Sequence, residues 1–582
     1  MAAEKLQAFG GMIPAIDPRL LPVDAAADSQ NVWYYNGTIQ GLVLGKSVYT
    51  IADPGVTNSI FRIPKILGEF GNFPNSWWLE FPQSNISVIK SPVAESADPA
   101  IYFASDSSPP GYNTQSRIAA AQPNLILGIP APEVAPTVVP AGGVSTVMET
   151  RAYVYTWLSA FFEEGPPSPP TVVTGKIDDT WAIGMTAPTV GDTTNRVLTY
   201  TNIYRTVTSS AGVATYYFVA QLPIATLAYN DTLADSSITS AGVLESTNYL
   251  APPAGLQGLT PMANGMVAGW LNNEIWFCEP YKPHAWPPQY QVSIEYPIVV
   301  MAGVGQSLIV GTDGYPYFGT GVAPDQFVLG RIPAPEPCLS RGSMVVTEFG
   351  AYYASPNGLV FLSAAGVAAN VTRNTISKQA WQSLLNLVEL RAALLNGAYF
   401  VYCGVTAAAF EPTAFEPTAF QLASGVGTRT GLLIEFQQPN VGVTRLLSPS
   451  TIRNVFTDPW TSEVLLVGDT AVSWMDLTSP SQQTYTWTSK IFTLPYPTNL
   501  GAAKFTYDPP PDGSPASSQL SVYAWNNGQP PFLWLQRALP ASNQVFRLPS
   551  GFKADAYQFQ LSGNLVVKSF QFGDTVKALQ GV

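Results

Sequence analysis

At 582 residues the chain has room for roughly four domains of average size, so the volume available for a core does not limit it. Only 11% of the residues are charged while 46% are hydrophobic, and 47 Gly and 52 Pro are spread along the whole length. That balance excludes a disordered polyelectrolyte and a helical or coiled-coil protein, and it predicts an all-β chain with many turns. With 27 Lys and Arg against 39 Asp and Glu the formal charge is −12, and no basic run could track phosphates, which argues against tight nucleic-acid binding.

The first ten residues lack the basic segment, apolar stretch and cleavage site of a signal peptide, so a start in the cytoplasm is expected. The longest apolar stretch, residues 298–310, is broken by Gly303, Gly305 and Gln306 and falls short of the roughly 18 residues of a membrane span. Cys278, Cys338 and Cys403 lie far apart with no CxxC and are expected reduced and buried.

Residues 1–130 are expected to form an N-terminal arm and the first part of a β-propeller, with Asn36-Gly37 supplying the positive-φ pair of a two-residue hairpin turn. Gly41-Leu-Val-Leu-Gly45-Lys46-Ser47 has three residues between its glycines where a phosphate-binding loop needs four, and a strand rather than a helix follows. A glycine-rich turn is the better reading. A proline-rich boundary at 128–136 and another at 249–253 frame residues 131–253, predicted to be an inserted fibronectin- or immunoglobulin-like β-sandwich. Residues 151–159, 202–206 and 216–220 read as its strands, and 163–170, with four prolines, as a rigid extended connection between strands. Between Pro136 and Tyr249 four basic residues face nine acidic ones, and the neighbours Glu163-Glu164 and Asp178-Asp179 read as solvated acidic edges rather than paired catalytic carboxylates.

Residues 254–480 are expected to complete the propeller, since with 1–130 they supply enough chain for roughly seven or eight blades. Gly305-Gln-Ser-Leu-Ile309 fails the last position of a nucleophile elbow. His284 is the only histidine and lies in the proline-locked loop Glu279-Pro-Tyr-Lys-Pro-His-Ala-Trp-Pro-Pro288, so no mechanism or metal site using two imidazoles is available. A packed structural histidine is expected there, with the loop around His284 and Trp286 locking domain packing. Asp313-Gly314, Asn357-Gly358 and Asn396-Gly397 are further hairpin signals, the last joining 391–395 to 398–403. One short helix is predicted from Ser377 to Leu387, where Ala380, Trp381, Leu384 and Leu387 share a face and Ser377 caps the first turn. The duplication in Ala414-Phe-Glu-Pro-Thr-Ala-Phe-Glu-Pro-Thr-Ala-Phe420 reads as a loop enlargement. Residues 481–582 complete the chain as a predicted C-terminal β-sandwich.

Several segments, taken in order, resemble the tail nozzle proteins of short-tailed bacteriophages, also called tail hub, tail tubular protein B or packaged-DNA stabilisation proteins. They are Phe9-Gly-Gly-Met-Ile-Pro-Ala-Ile-Asp-Pro-Arg-Leu-Leu-Pro22, Ala25-Ala-Ala-Asp-Ser-Gln-Asn31, Asn36-Gly-Thr-Ile39, Phe162-Glu-Glu-Gly-Pro-Pro-Ser-Pro169 and Ile203-Tyr-Arg-Thr206. They continue through Gly265-Met-Val-Ala-Gly269, the loop from Glu279 to Pro287, Ala354-Ser-Pro-Asn-Gly-Leu-Val360 and Phe546-Arg-Leu-Pro-Ser-Gly551. The resemblance implies a propeller-containing, non-enzymatic virion protein with no cofactor, no metal and no catalytic residue. It would assemble in the host cytoplasm as a homo-hexameric ring in the phage tail, below the portal and adaptor proteins of the head-to-tail connector. It would meet tail fibres or a tail-tip protein, and its lumen would pass genomic double-stranded DNA without specific binding. An acidic chain with sparse charge suits a conduit that must not grip phosphate. The competing expectation is a glycan-binding or glycan-cleaving propeller, a receptor-binding tail component or surface lectin, which predicts a clustered set of acidic and aromatic site residues.

Overall fold

The computed structural model describes residues 4–579 apart from 66–72, 94–97, 208–214, 385–388, 404–429, 437–441, 449–450 and 527. The protein is all-β: strand makes up 48% of the chain and helix 8%. Its contacts divide it into two units, residues 1–84 with 334–582, and residues 85–333.

In the first unit the N-terminal arm is threaded into sheets built mainly from the C-terminal half. Ala26–Gln30 lies between Gly442–Leu447 and Tyr485–Ser489 in a ten-stranded sheet that runs from Leu390–Leu395 to Phe532–Ala538. Glu4–Leu6, Val32–Tyr35 and Thr38–Gly41 join Val566–Gly573 and Ala502–Asp508 in a second, six-stranded sheet. The strands after residue 481 therefore share both sheets with residues 4–41, an arrangement that the serial division at 480/481 does not express. Inward phenylalanines fill the space between these sheets: Phe505 stacks on Phe570 at 4.3 Å, and Phe559 meets Phe572 at 4.6 Å. Phe9 meets Trp487 edge-on at 5.1 Å, which seats the arm in the same core. A four-stranded sheet is closed by strands from both halves of the chain, Lys46–Thr50 pairing with Ala471–Trp474. Gly41, at the head of the motif that resembles a phosphate loop, faces the Gln483 carbonyl so closely that a Cβ would lie 2.0 Å from it. Close backbone approach accounts for that glycine.

In the second unit three four-stranded antiparallel sheets are each built from a continuous stretch of chain, over residues 86–126, 257–293 and 298–331. Between the first and second, two facing antiparallel sheets form a sandwich: Thr137–Ala141, Thr180–Gly184 and Ala228–Asp231 against Thr171–Lys176, Met148–Ser159, Leu198–Thr206 and Tyr216–Pro223. Val138, Tyr153, Trp181, Ile183, Ile203 and Val219 pack between its sheets. One end of this interior is ionic. Arg205 pairs with Asp231 at 2.9 Å and with Asp235 at 2.6 Å, Arg151 pairs with Glu149 and lies over the Trp181 ring, and Tyr153 donates to Asp231 at 2.7 Å.

Local signals are realised unevenly. Asn36-Gly37 and Asn396-Gly397 both take positive φ and turn tight hairpins, the second joining Leu390–Leu395 to Ala398–Cys403. At Asn357-Gly358 the turn is instead Pro356-Asn357, because Ser355 pairs directly with Gly358, and proline cannot take the positive φ of a type I′ turn. Asp313-Gly314 sits in a four-residue connection between Ser307–Thr312 and Tyr317–Thr320. A hairpin that the dipeptide rule passes over turns at Asn272-Asn273, with Asn272 at φ 56°. The predicted helix is present as Lys378–Leu384, with Ser377 Oγ accepting from the Ala380 amide at 3.2 Å and Trp381 fully buried; Leu387 lies outside the described residues. It is not alone: Gln115–Ala119, Val190–Arg196 and Asp235–Ile238 are also helical. These are too short for a 3.6-residue period to show in sequence, although Thr189 with Asp192 three residues on is a legible capping pair, bonded at 3.0 Å in the structure. The duplication at 414–420 lies outside the described residues.

Candidate functional site

Besides the ionic end of the sandwich, a second meeting of titratable side chains in the second unit is built around a turn at the end of the long strand Met148–Ser159. Ser159 Oγ accepts from the amides of Phe161 and Glu163, and Phe162 is forced to φ 61°, a left-handed conformation that strains an aromatic residue. The chain then runs back beside the strand it left. Gly165 and Ser168 donate to the carbonyls of Trp157 and Tyr155, while the prolines at 166, 167, 169 and 170, which have no amide proton, occupy the other positions. The connection is thus extended, and it is also hydrogen-bonded to its neighbour.

This return places Glu163 and Glu164 on opposite faces. Glu164 accepts from Tyr204 at 2.8 Å, from Asn202 at 3.2 Å and from Thr156 at 2.5 Å, and so is wholly engaged by the sandwich. Glu163 turns the other way, where Oε2 accepts from the Tyr112 hydroxyl at 2.9 Å and from Ser159 at 3.2 Å. Its Oε1 stands 3.9 Å from His284 Nδ1. The expectation of a solvated acidic edge is therefore corrected at both residues: each carboxylate is withdrawn from solvent because hydroxyl and amide donors from distant strands converge on it. Asp178 and Asp179 are also structural acceptors. Asp178 receives the amides of Val144 and Ser145, and Asp179 those of Gly143 and Lys176.

His284 is held by the loop that carries it. The Ala285 amide donates to the Lys282 carbonyl, the Glu279 amide to Ala285, and the Trp286 amide to Leu250, while Trp286 Nε1 donates to Pro283 at 2.7 Å. Trp286 is wholly buried in the cluster formed with Tyr102, Tyr112, Leu256 and Cys278. The imidazole meets Tyr249 edge-on, and Tyr249 in turn accepts from Lys282 Nζ at 2.7 Å, beside the exposed Glu245. Burial, assisted by the Lys282 charge, lowers the His284 pKa to about 4, and burial raises that of Glu163 above the ordinary carboxyl value. Burial also pushes the Cys278 and Cys338 thiols up to about 12, and Cys278, Cys338 and Cys403 are all buried and outside any disulfide.

Chemically, the cluster sets a carboxyl and an imidazole 3.9 Å apart, beyond hydrogen-bond reach; both hydrogen bonds received by Glu163 come from protein hydroxyls, and both residues are almost closed to solvent. The packed histidine expected of this loop is packed; what the sequence did not indicate is the carboxyl brought against it from 121 residues away. Among the described residues no group of three or more His, Cys, Asp or Glu side chains is placed to hold a metal ion, and no helix is long and apolar enough to cross a membrane.

No protein-family model matches the chain, and no curated protein does. Among solved structures it is similar to the extracellular domain of a putative hybrid two-component system of B. thetaiotaomicron, at 11% identity and a TM-score of 0.22. That alignment covers 65% of this chain and 44% of the other, so the chain spans less than half the length of that relative. It is similar also to a chain of a S. cerevisiae complex of Dbp5, Nup159 and Gle1, at 10% identity and TM-score 0.19, covering 55% of this chain and 91% of the other. A third, a glycoside hydrolase, stands at 8% identity and TM-score 0.12, covering 73% of this chain and 94% of the other.

Proposed function

We propose that the protein is a structural subunit of the tail nozzle of a short-tailed bacteriophage. It forms a hexameric ring below the portal and adaptor, extends the DNA channel, retains the packaged genome and conducts it during ejection, and it performs no catalytic step. The observation that carries this reading is the order in which the resembling segments follow one another from Phe9 to Gly551. In the fold these segments are core builders: Phe9 and Met12, Trp286, Ala354 and Leu359, and Phe546 are all buried. The charge distribution is compatible with a conduit. The fully buried arginines, Arg62, Arg151 and Arg205, are balanced by the buried acids Asp458, Glu149 and Asp231, so the net −12 is carried by the remainder of the chain. Such a surface repels phosphate and lets DNA slide.

The test is to image particles from the source by electron microscopy with an antibody raised against the recombinant chain, and to measure the mass of the purified protein by light scattering. Label at the distal end of a short tail, with a six-subunit species on assembly, is the expected result. Label on cell surfaces, or retention on glycan arrays, would overturn it.

A further inference from the structure

We propose that copies of this chain join through the inserted sandwich, the outer face of its three-stranded sheet packing on the outer face of the four-stranded sheet of the next copy. The inference rests on the nozzle reading for the number of copies and names the surface that joins them. It starts from where the sandwich keeps its charge. Alternate residues of a strand point to opposite faces, and the set that points inward is ordinarily apolar. Here the inward rows hold Glu149, Arg151 and Arg205 on one sheet and Asp231 on the other, all buried beside the apolar core. The outward rows are the uncharged ones.

On the three-stranded sheet Val139, Ala182 and Asn230 stand side by side across all three strands, and all are exposed, Val139 by 61%. On the four-stranded sheet Met148 and Val172, 59% and 64% exposed, lie on either side of Thr150 and Thr174, whose hydroxyls bond each other at 2.8 Å. Lys176, opposite Met148, has its ammonium held by the Gly143 carbonyl at 2.8 Å. Exposed aliphatic faces of this kind mark contacts with other proteins.

The charge of the surrounding chain selects the partner. Residues 85–333 contain eight Lys and Arg against eighteen Asp and Glu, a formal −10, so two copies repel over most of this unit. Copies can meet favourably only where that charge is absent, and these two faces meet the condition. They belong to opposite sheets of one sandwich, so stacking one on the other repeats the same heterologous contact from copy to copy, and a contact of that type closes into a ring. A face three strands wide and five residues long spans about 14 by 16 Å, less than the roughly 800 Å² that each partner gives to a standard interface. A single pair is therefore weak, and the closed ring, in which every copy makes two contacts, is strong.

The experiment measures the mass of the full chain by light scattering over a range of concentrations, for the unaltered protein and for Val139→Glu, Val172→Glu and Val190→Glu. Val190, 83% exposed on the helix Val190–Arg196, belongs to neither sheet and serves as the control. Near-ultraviolet circular dichroism confirms that each variant is folded. Expected are association of the unaltered chain and of Val190→Glu, and a rise of at least about tenfold in the concentration that Val139→Glu or Val172→Glu alone requires, because each places an unpaired carboxylate in every contact. Mixed in equal amounts, these two variants should form a pair of one copy each and nothing larger, since only one contact between them joins two unaltered faces. An unaltered chain that stays monomeric, including one that binds the adaptor through these faces instead, would overturn the proposal. So would either variant assembling as the unaltered chain does, or a mixture that behaves as the separate variants do. Label at the tail end with both variants assembling normally removes this contact alone, whereas label on cell surfaces removes the nozzle reading and leaves the mixed pair to decide the contact.

Discussion

Six phenylalanines, at 492, 505, 546, 559, 570 and 572, fill the core of the C-terminal strands, whereas one end of the 137–231 sandwich is filled by Arg151, Arg205, Glu149, Asp231 and Asp235. Both interiors exclude water, but they depend on their members differently. Aromatic packing is a sum of many small attractions, so losing part of one ring removes part of the stabilisation. An ionic interior holds only while every charge keeps its partner, because the desolvation already incurred by the survivors is not recovered when one member is deleted.

The largest expected effect follows directly. Arg205→Met leaves Asp231 and Asp235 without their closest guanidinium and should destabilise the second unit by about 3–5 kcal/mol, measured by denaturant unfolding followed through exchange of the Leu198–Thr206 amides. A loss below about 1 kcal/mol would break the distinction. Next, Glu435 tests the first unit, where burial alone lifts a carboxyl to about 8 with no cation paired to it among the described residues. A raised carboxyl pKa means that the folded state binds the extra proton, so the associated stability is present below pH 4.5 and is lost as pH rises towards 8. Between pH 5 and 8.5 the first unit should lose about 4 kcal/mol, and Glu435→Gln should flatten that slope. Smaller still, Phe570→Leu in the aromatic core should lower stability by less than about 1.5 kcal/mol, a graded response that differential scanning calorimetry would resolve. At the floor, Asn396→Ala, which places a Cβ-bearing residue with no side-chain amide at φ 49°, should cost about 1 kcal/mol and leave both interiors intact, as judged by the same calorimetric scan.

Legibility in the sequence followed the range of the interaction. The all-β class could be read because Gly, Pro, β-branched and aromatic residues act within a few positions of themselves. The same holds for the Ser377 cap and for the turns at Asn36-Gly37 and Asn396-Gly397, where the deciding torsions belong to the residues named. The reading failed where a neighbour intervened: Pro356 shifted the turn expected at Asn357-Gly358, and two hydroxyls and an amide from two strands drew Glu164 inward. The Glu163–His284 junction was invisible for the same reason, since neither residue has a local pattern that refers to the other.

Composition, charge and short-range torsions thus settled the class of structure, the low density of charge and two of the places where the chain reverses, at Asn36-Gly37 and Asn396-Gly397. Only the tertiary structure decided that residues 4–41 complete sheets made by the C-terminal half, that arginines rather than aliphatic side chains close one end of the sandwich, and that the lone histidine meets a buried carboxyl. Strand pairing and buried charge are settled by which segments desolvate together, and that choice depends on partners hundreds of residues away.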